Sequence, residues 1–314
     1  MSTIHGMAAA ETAALTRRVT LLSVATATIL VTIKVAAWLA SGSVALLASM
    51  ADSGLDLVAS LATFFAVRYA VAPPDAEHRF GHGKAEAFAS LVQGGLVFAS
   101  AALIAREAVG HLLEPQPLKS EGWAIVVMLV STALTGLLIV AQTRVLRQTS
   151  SVAVSGDRAH YASDLASNVI ALAGIGASAW LGLNGLDAIS ALIVAALLLW
   201  GAVGVFREAS GQLMDHELSD EARATIVQLM TQDRRLTDVH QLRTRASGPF
   251  IHMQMHVDLD PELTLESAHE VIVAAEKRLL EVFPSADIII HADPRGRAEP
   301  HGGAFAEAAR AQAQ

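Results

Sequence analysis

The sequence predicts an α-helical membrane protein with six transmembrane helices, followed by a C-terminal α+β domain. Of the 314 residues, 53% are hydrophobic, which is more than an ordinary soluble domain carries. The apolar residues lie mainly before residue 210, in blocks near the roughly 20 residues that a helix needs to cross a bilayer. After residue 210 the pattern changes to short helical and alternating segments, and 15 of the 30 acidic residues fall within 212–296.

Low charge distinguishes the six candidate spans from the segments between them. Four blocks contain no acidic or basic residue: 87–105, 122–143, 165–186 and 188–206. Two earlier blocks, 19–40 and 43–70, are equally apolar but carry Lys34 and the pair Asp52 and Asp56. No small-residue cleavage site follows the first block, so we do not expect a cleavable signal peptide. The pattern indicates a multi-pass protein of the lipid bilayer.

The basic residues between the blocks predict the orientation, because cytoplasmic loops of membrane proteins carry an excess of Lys and Arg. If both termini lie inside, the loops on the opposite side contain a single basic residue, Lys119. The cytoplasmic flanks then contain Arg17, Arg18, Arg68, Arg79, Lys84, Arg144, Arg147, Arg158 and Arg207. We therefore expect both termini and the C-terminal domain to lie in the cytoplasm.

The C-terminal segment predicts a small domain with the order helix–strand–strand–helix–strand. A Ser-Asp start indicates a helix over 219–232. Apolar and polar residues alternate over 238–247 and over 250–260, and a Gly-Pro turn between these segments predicts a β-hairpin. A helix over 264–283 and a strand over 286–293 follow. We predict a flexible leader over 1–16, a transmembrane domain over 17–210, a cytoplasmic domain over 211–294 and a disordered tail over 295–314.

Composition excludes several classes of function. The chain has no cysteine, so thiol chemistry is excluded, and any bound metal must be held by nitrogen and oxygen. The net charge is −8, and no basic patch indicates a nucleic-acid partner. The sequence GHGK at 81–84 lacks the spacing of a phosphate loop, so we expect no nucleotide. No nucleophile–base pair or cofactor motif indicates an enzyme.

Ionisable residues within two predicted spans form the first candidate site. Asp52 and Asp56 are four residues apart in the second span, as are His160 and Asp164 in the fifth. Each pair lies on one helix face, one turn apart, and ionisable residues within a span indicate function because they are costly to bury. One imidazole and three carboxylates suit tetrahedral Zn²⁺. The alternatives are that these residues are a polar pore lining or that they lie just outside the membrane in the interface. We interpret Lys34 as structural, reaching the interface or pairing with a carboxylate.

The ligand chemistry suggests how transport would be driven. Histidine binds metal only when neutral, and carboxylates bind it only when ionised, so metal and protons compete for such a site. A site facing the cytoplasm would take up metal and release protons. The same site facing outward at lower pH would do the reverse, which predicts metal export in exchange for protons.

Two further groups of residues outside the spans could bind metal. Asp75, His78 and His82 lie in the loop after the second span, although histidines in a polar loop are often simply solvated. Strand alternation places His252 and His256 on one sheet face of the C-terminal domain. Six of the 12 histidines are in this domain, which suits a two-metal cluster bridged by a carboxylate: His216, His240, His252, His256, His269 and His291.

With these residues in view, the chain resembles the cation diffusion facilitator family, and within it the bacterial ferrous-iron and zinc efflux pumps. The resemblance runs from about residue 15 to 294. It is carried by GSVALLASMADSGLDLVAS (42–60), HRFGHGKAEA (78–87), HYASDLASN (160–168), MDHEL (214–218), HQLRTRASGP (240–249) and IIHADP (289–294). The two paired motifs, Asp-x-x-x-Asp and His-x-x-x-Asp, are specific to this family in combination.

The resemblance implies a homodimer in the bacterial inner membrane, with metallochaperone-like cytoplasmic domains packed together. It implies that a charge interlock between Lys84 and Asp215 holds the dimer where the membrane and soluble parts meet. It implies three metal sites: a transport site of Asp52, Asp56, His160 and Asp164, a loop site of Asp75, His78 and His82, and a binuclear cytoplasmic site of His240, His256, His269, His291 and Asp293. His252 is not a family ligand position. Ala159 departs from the bulkier apolar residue expected before His160.

The leading interpretation is a divalent-metal transporter for Zn²⁺, with Cd²⁺ and Fe²⁺ next and Mn²⁺ and Co²⁺ using the same donors. The alternative is a membrane-anchored metal sensor or scaffold that binds metal without transporting it. The residues inside the membrane favour transport, because a sensor has no need to bury ligands there.

Overall fold

A computed structural model describes residues 7–41, 44–113, 122–181 and 186–296 of the chain. The chain divides into two compact units. One unit is Ala10–Leu213, and the other is built on the residues from Met214 onwards. This division lies close to the boundary expected at 210–211.

The first unit consists of long helices joined by short segments. Their bounds are α1 Ala9–Ser41, α2 Val44–Ala70, α3 Ala85–Leu113, α4 Gly122–Leu146, α5 Val152–Leu181 and α6 Leu186–Leu213. Helix α1 starts inside the stretch expected to be a leader, because that stretch is rich in alanine, the strongest helix former. Residues 1–6 of the leader and 297–314 of the expected tail lie outside the described residues.

Four of these helices contain stretches that are long and apolar enough to cross a membrane, considering only the described residues. They are Ala9–Ala40, Ala85–Gly110, Ile125–Leu146 and Ala191–Leu213. Helices α2 and α5 are also of spanning length, with 27 and 30 residues. The acidic residues of the candidate transport site lie on these two helices, and such residues lower their hydropathy. Six transmembrane helices therefore stay a prediction.

Small residues allow α3 to approach its neighbours closely, as is common between helices in membranes. A Cβ added at Gly156 of α5 would lie 2.9 Å from Ser90 Oγ and 3.1 Å from Ser90 Cα on α3. A Cβ added at Gly94 of α3 would lie 3.2 Å from Cγ1 of Val205 on α6. The α3–α5 contact thus occurs at the part of α5 that precedes His160.

We predict that G156A lowers the thermal stability of the purified protein, since an added methyl group must displace the α3 backbone. Overpacking of this kind costs about 1–3 kcal/mol. The control is G136A on α4, where an added Cβ meets nothing within 4 Å, and which should melt at or above the wild-type temperature. Equal melting temperatures for the two variants would show that the helices do not meet closely at Gly156.

The second unit has the predicted order, which is therefore confirmed. It comprises α7 Asp220–Met230, β1 Val239–Ser247, β2 Phe250–Leu259, α8 Leu265–Val282 and β3 Ala286–Pro294. Strand β2 is central, paired antiparallel with β1 and parallel with β3. The two helices are capped at their N-termini by Ser219 and Thr264, whose side chains accept hydrogen bonds from the backbone N–H groups of Ala222 and Ser267.

Alternation along β2 separates a core face from an open face. Met253, Met255 and Val257 are buried, and they join one cluster with buried side chains of α7 and α8. The intervening residues of β2 include His252 and His256, which the period of two places on the opposite face. The sheet thus keeps its candidate metal ligands away from the apolar core.

Candidate metal centres

The first candidate centre joins α2 and α5. His160 Nε2 lies 3.0 Å from Asp56 Oδ1 and 3.8 Å from Asp164 Oδ2. These three residues each offer a ligand atom within 4.8 Å of the others. His160 is buried, with a relative exposure of 4%, and Asp56 and Asp164 are half-buried, so a cation here would be partly removed from water. One imidazole and two carboxylates can provide three of the four ligands of a tetrahedral site.

Asp52, the fourth predicted member, lies one helical turn before Asp56 and is exposed. Among the described residues, it falls outside the group of atoms that lie within 4.8 Å of one another. Lys34 of α1 lies nearby, where its Nζ donates hydrogen bonds to Ser53 Oγ at 2.6 Å and to the Ser49 carbonyl at 3.2 Å. This ammonium group places positive charge beside the carboxylates, which fits the structural role expected for it.

The second candidate centre lies in the loop between α2 and α3. Asp75 Oδ1 accepts backbone N–H groups from Glu77 at 2.9 Å and His78 at 2.6 Å. The Asp75 carboxylate also lies 3.2 Å from His78 Nδ1 and 3.2 Å from His82 Nε2. The backbone N–H of His78 is the main cause of a pKa of Asp75 below its ordinary value. The loop therefore holds an ionised carboxylate between two imidazoles.

His82 is the fixed member of this loop cluster. It is buried, at 7% exposure, with its ring centroid 4.4 Å from that of Tyr69. Its Nδ1 lies 3.4 Å from the carbonyl oxygen of Ala72. Asp75 and His78 are exposed. A metal ion would thus bind to one rigid ligand and two ligands at the surface.

We predict that H82A removes one equivalent of bound Zn²⁺ per protomer of the purified protein, because it deletes the most constrained ligand of the loop. The matched control is H216A, which removes an exposed histidine whose Nδ1 lies against the Glu217 carbonyl. Metal content measured by atomic emission should fall only in the first variant. An unchanged content in H82A would show that the loop does not hold metal.

The third candidate centre crosses all three strands of the C-terminal sheet. His256 of β2 is the register partner of His240 on β1 and of His291 on β3. Asp293 lies between the three imidazoles: its Oδ2 is 2.9 Å from His256 Nδ1 and 3.2 Å from His240 Nε2, and its Oδ1 is 3.3 Å from His291 Nε2. The carboxylate thus contacts imidazoles through both oxygens, as a bridging ligand does.

Burial alone would raise the pKa of Asp293, but the hydrogen bond from His256 and the neighbouring histidine charges lower it below its ordinary value. Asp293 is therefore ionised although it is only 6% exposed. An ionised carboxylate beside imidazoles supplies ligand types that a divalent transition metal accepts. His269, the remaining predicted ligand, lies exposed on α8 and outside the His240–His256–Asp293 group in the part of the chain described.

Two neighbouring residues clarify the limits of this cluster. His252 pairs with Asp287 on β3, with His252 Nδ1 3.1 Å from Asp287 Oδ2. Asp258 was not predicted as a site residue, although strand alternation places it on the same face as His256. Its Oδ1 lies 3.9 Å from His240 Nδ1. The His240 ring is therefore flanked by a second carboxylate.

The residues of the expected interlock lie in different units of the chain. Lys84 Nζ donates a hydrogen bond to the Leu213 carbonyl at 3.2 Å. Asp215 Oδ2 accepts one from Arg245 Nη1 at 3.1 Å. The Lys84–Asp215 interlock stays a prediction.

Known proteins resemble this chain along most of its length. Residues 20–214 match the family model of the cation efflux transmembrane domain, and residues 218–295 match that of the cation efflux protein cytoplasmic domain. The cation-efflux pump FieF of Klebsiella pneumoniae is 39% identical over 89% of this chain and 93% of its own. FieF of Yersinia enterocolitica is 41% identical over 85% of this chain and 89% of its own. The solved metal-bound C-terminal domain of the CzcD transporter from Thermotoga maritima covers 26% of this chain at 22% identity, with a TM-score of 0.25.

The match to the cation efflux transmembrane domain, together with the apolar helices, defines a multi-pass transporter of cations rather than an enzyme. The chain belongs to the cation efflux family, also called the cation diffusion facilitators, and is of the FieF type. It is an inner-membrane protein of metal efflux.

Proposed function

We propose that this protein exports divalent transition metals from the cytoplasm in exchange for protons, with Zn²⁺ as the principal cargo. The observation that carries the proposal is the group formed by Asp56, His160 and Asp164 between α2 and α5. Ionisable side chains on helices of membrane-spanning length are costly to bury and are retained where ions pass. We include Asp52 as the fourth ligand, one turn from Asp56.

The contact between His160 and Asp56 supports coupling to protons. At 3.0 Å, the imidazole and the carboxylate can share a proton when no metal is bound. A metal ion needs the neutral imidazole and the ionised carboxylate, so its binding displaces that proton. Alternating exposure of the site to the two sides of the membrane would convert this competition into antiport.

The direction of transport follows from the proposed topology. We propose six spans, with α2 and α5 crossing the membrane beside the four most apolar stretches. The excess of Lys and Arg at one side then places both termini and the C-terminal domain in the cytoplasm. A proton gradient directed inward would drive metal outward.

The cytoplasmic cluster supports a regulatory role and a homodimer. Ile289 lies on β3 beside His291, and it is 56% exposed on the open face of the sheet. A single exposed apolar side chain is ordinary on a protein surface, so the support for a homodimer comes from the match of residues 218–295 to the dimerising cytoplasmic domain of this family. We propose that metal at the His240–Asp293 cluster favours this dimer, and that the Lys84–Asp215 interlock supports it.

The test is a metal flux assay in vesicles reconstituted with the full chain, run one metal at a time with an inward proton gradient. We expect the highest rate for Zn²⁺ or Cd²⁺, since an imidazole ligand suits them better than it suits Mn²⁺. A protein that binds Zn²⁺ but moves no metal would be a sensor or scaffold rather than a transporter. Equal rates for Mn²⁺ and Zn²⁺ would contradict the assignment of the cargo.

A further inference from the structure

We propose that Asp157 of α5 is a positioning residue for the transport site, and that it orients His160 through a buried network on α1, α3 and α4. We call the four residues Ser23, Gln93, Gln142 and Asp157 the Asp157 network. The inference rests on the proposed function, because it concerns the geometry of the same site. In this role Asp157 is not a metal ligand but acts through the helix that carries His160.

The network surrounds both oxygens of the Asp157 carboxylate. Its Oδ2 accepts hydrogen bonds from Ser23 Oγ at 2.6 Å and from Gln142 Nε2 at 2.9 Å. Its Oδ1 accepts one from Gln93 Nε2 at 3.1 Å. All four side chains are at most 1% exposed. A buried carboxylate with three donors is held firmly, since losing any donor would leave a buried charge less well compensated.

The same network reaches α2, the helix that carries Asp56. Gln93 Nε2 lies 2.9 Å from Thr63 Oγ1 and 3.3 Å from the Ala59 carbonyl oxygen, both on α2. Thus one amide group connects α2, α3 and α5. The network therefore fixes α2 relative to α5, and these are the helices whose side chains form the site.

A second anchor lies on the other side of His160. Tyr161 is buried, and its hydroxyl lies 2.7 Å from Ser60 Oγ on α2 and donates to the Ser23 carbonyl on α1 at 3.3 Å. Asp157 and Tyr161 are four residues apart, which is about one helical turn. His160 thus belongs to a turn of α5 that is held at both ends.

The His160 ring needs such anchoring because its second nitrogen is not held. A histidine that ligates metal usually donates its other ring N–H to a carboxylate or carbonyl, which fixes the ring. His160 Nδ1 is buried and has no hydrogen-bond partner among the described residues. The direction of Nε2 toward Asp56 and Asp164 therefore depends on the rotation of α5, which the anchors set.

An asparagine at position 157 separates the geometry of the network from its charge. Gln93 Oε1 and Gln142 Oε1 are buried without hydrogen-bond partners in the described part of the chain. In D157N with the new NH₂ group at the Oδ2 position, the Gln142 amide can turn so that its oxygen accepts from it, and Ser23 Oγ can accept as well. Gln93 Nε2 still donates to the remaining oxygen and to α2, whereas D157A removes all hydrogen bonds at position 157.

The experiment measures the affinity of full-length protein for Zn²⁺ in detergent by competition with a chromophoric chelator. The background carries H82A and D293A, which disable the other two candidate centres. We expect D157A to raise the Kd about 10–100-fold, as loss of a supporting contact around a metal ligand typically does, and D157N to stay within about threefold of the parent. S23A removes one hydrogen-bond donor to Asp157, so its Kd should lie between the values of D157N and D157A.

The control is S131A, which removes a buried hydroxyl of α4 that has no partner among the described residues. This variant should leave the Kd unchanged.

If D157A does not fold, the comparison of S23A with D157N tests the proposal. A lower melting temperature with an unchanged Kd in D157A or S23A would overturn the positioning role. If D157N raises the Kd as much as D157A does, the effect depends on the charge of Asp157 rather than on the geometry of the network. Failure of the wild-type chain to move Zn²⁺ in vesicles would contradict the proposed function, while the binding pattern would still test the positioning.

Discussion

Replacing Asp164 with alanine should abolish metal flux while leaving cytoplasmic metal binding intact. Asp164 Oδ2 lies 3.8 Å from His160 Nε2, and its loss removes an anionic ligand from a site that is partly buried. The remaining imidazole and carboxylate would not replace the water molecules that a divalent cation gives up on entry. We expect the flux of D164A in proteoliposomes to match that of empty vesicles.

The control for D164A is D233A, which removes a carboxylate of the C-terminal unit that pairs with Arg235 and lies outside all three candidate centres. Its flux should equal that of the wild type. The C-terminal cluster should still bind Zn²⁺ in D164A, which would show that the C-terminal unit is folded, and an unchanged melting temperature would show the same of the helical unit. Normal flux in D164A would contradict transport through the site formed by Asp56, His160 and Asp164.

Replacing Asp293 with alanine should produce the largest loss at the cytoplasmic cluster. The carboxylate contacts His256 and His240 through one oxygen and His291 through the other. Without it, three imidazoles remain with no bridging anion, and two cations would repel each other more strongly. We expect the cluster to lose both proposed metal ions, as measured by Zn²⁺ stoichiometry in a D164A, H82A background.

The matched control is D287A, because Asp287 lies on the same strand and the same face but pairs with His252. It should keep the metal stoichiometry of the parent. If D287A loses as much metal as D293A, the binding surface extends to His252 and the cluster has been assigned too narrowly. If D293A loses no metal, the bridging role is wrong.

Spacing within one element was enough to predict much of the candidate sites. Helical periodicity placed His160 and Asp164 on one face, and strand alternation placed His256 on the open face of the sheet. Whether residues of different elements meet depends on how helices cross and how strands are paired. Sequence spacing could not show that Asp52 lies outside the group formed by Asp56, His160 and Asp164 in the described chain.

The supporting residues were beyond prediction for a related reason. Serine and glutamine occur at lipid-facing, packed and pore-lining positions alike, so Ser23 and Gln142 give no signal until the helices are assembled. Asp157 was visible as an acid near the start of α5, but its partners are 134, 64 and 15 residues away in the chain. Only tertiary packing brings them to one carboxylate.

Metal export coupled to proton entry is the activity on which the proposed function depends. The most direct measurement follows both ions at once, in proteoliposomes that contain the full chain, a Zn²⁺-sensitive dye and a pH-sensitive dye. We predict that a Zn²⁺ gradient alone drives Zn²⁺ across the membrane with protons moving in the opposite direction, and that D164A vesicles show neither movement. Zn²⁺ movement without any counter-flow of protons would contradict the proposed antiport.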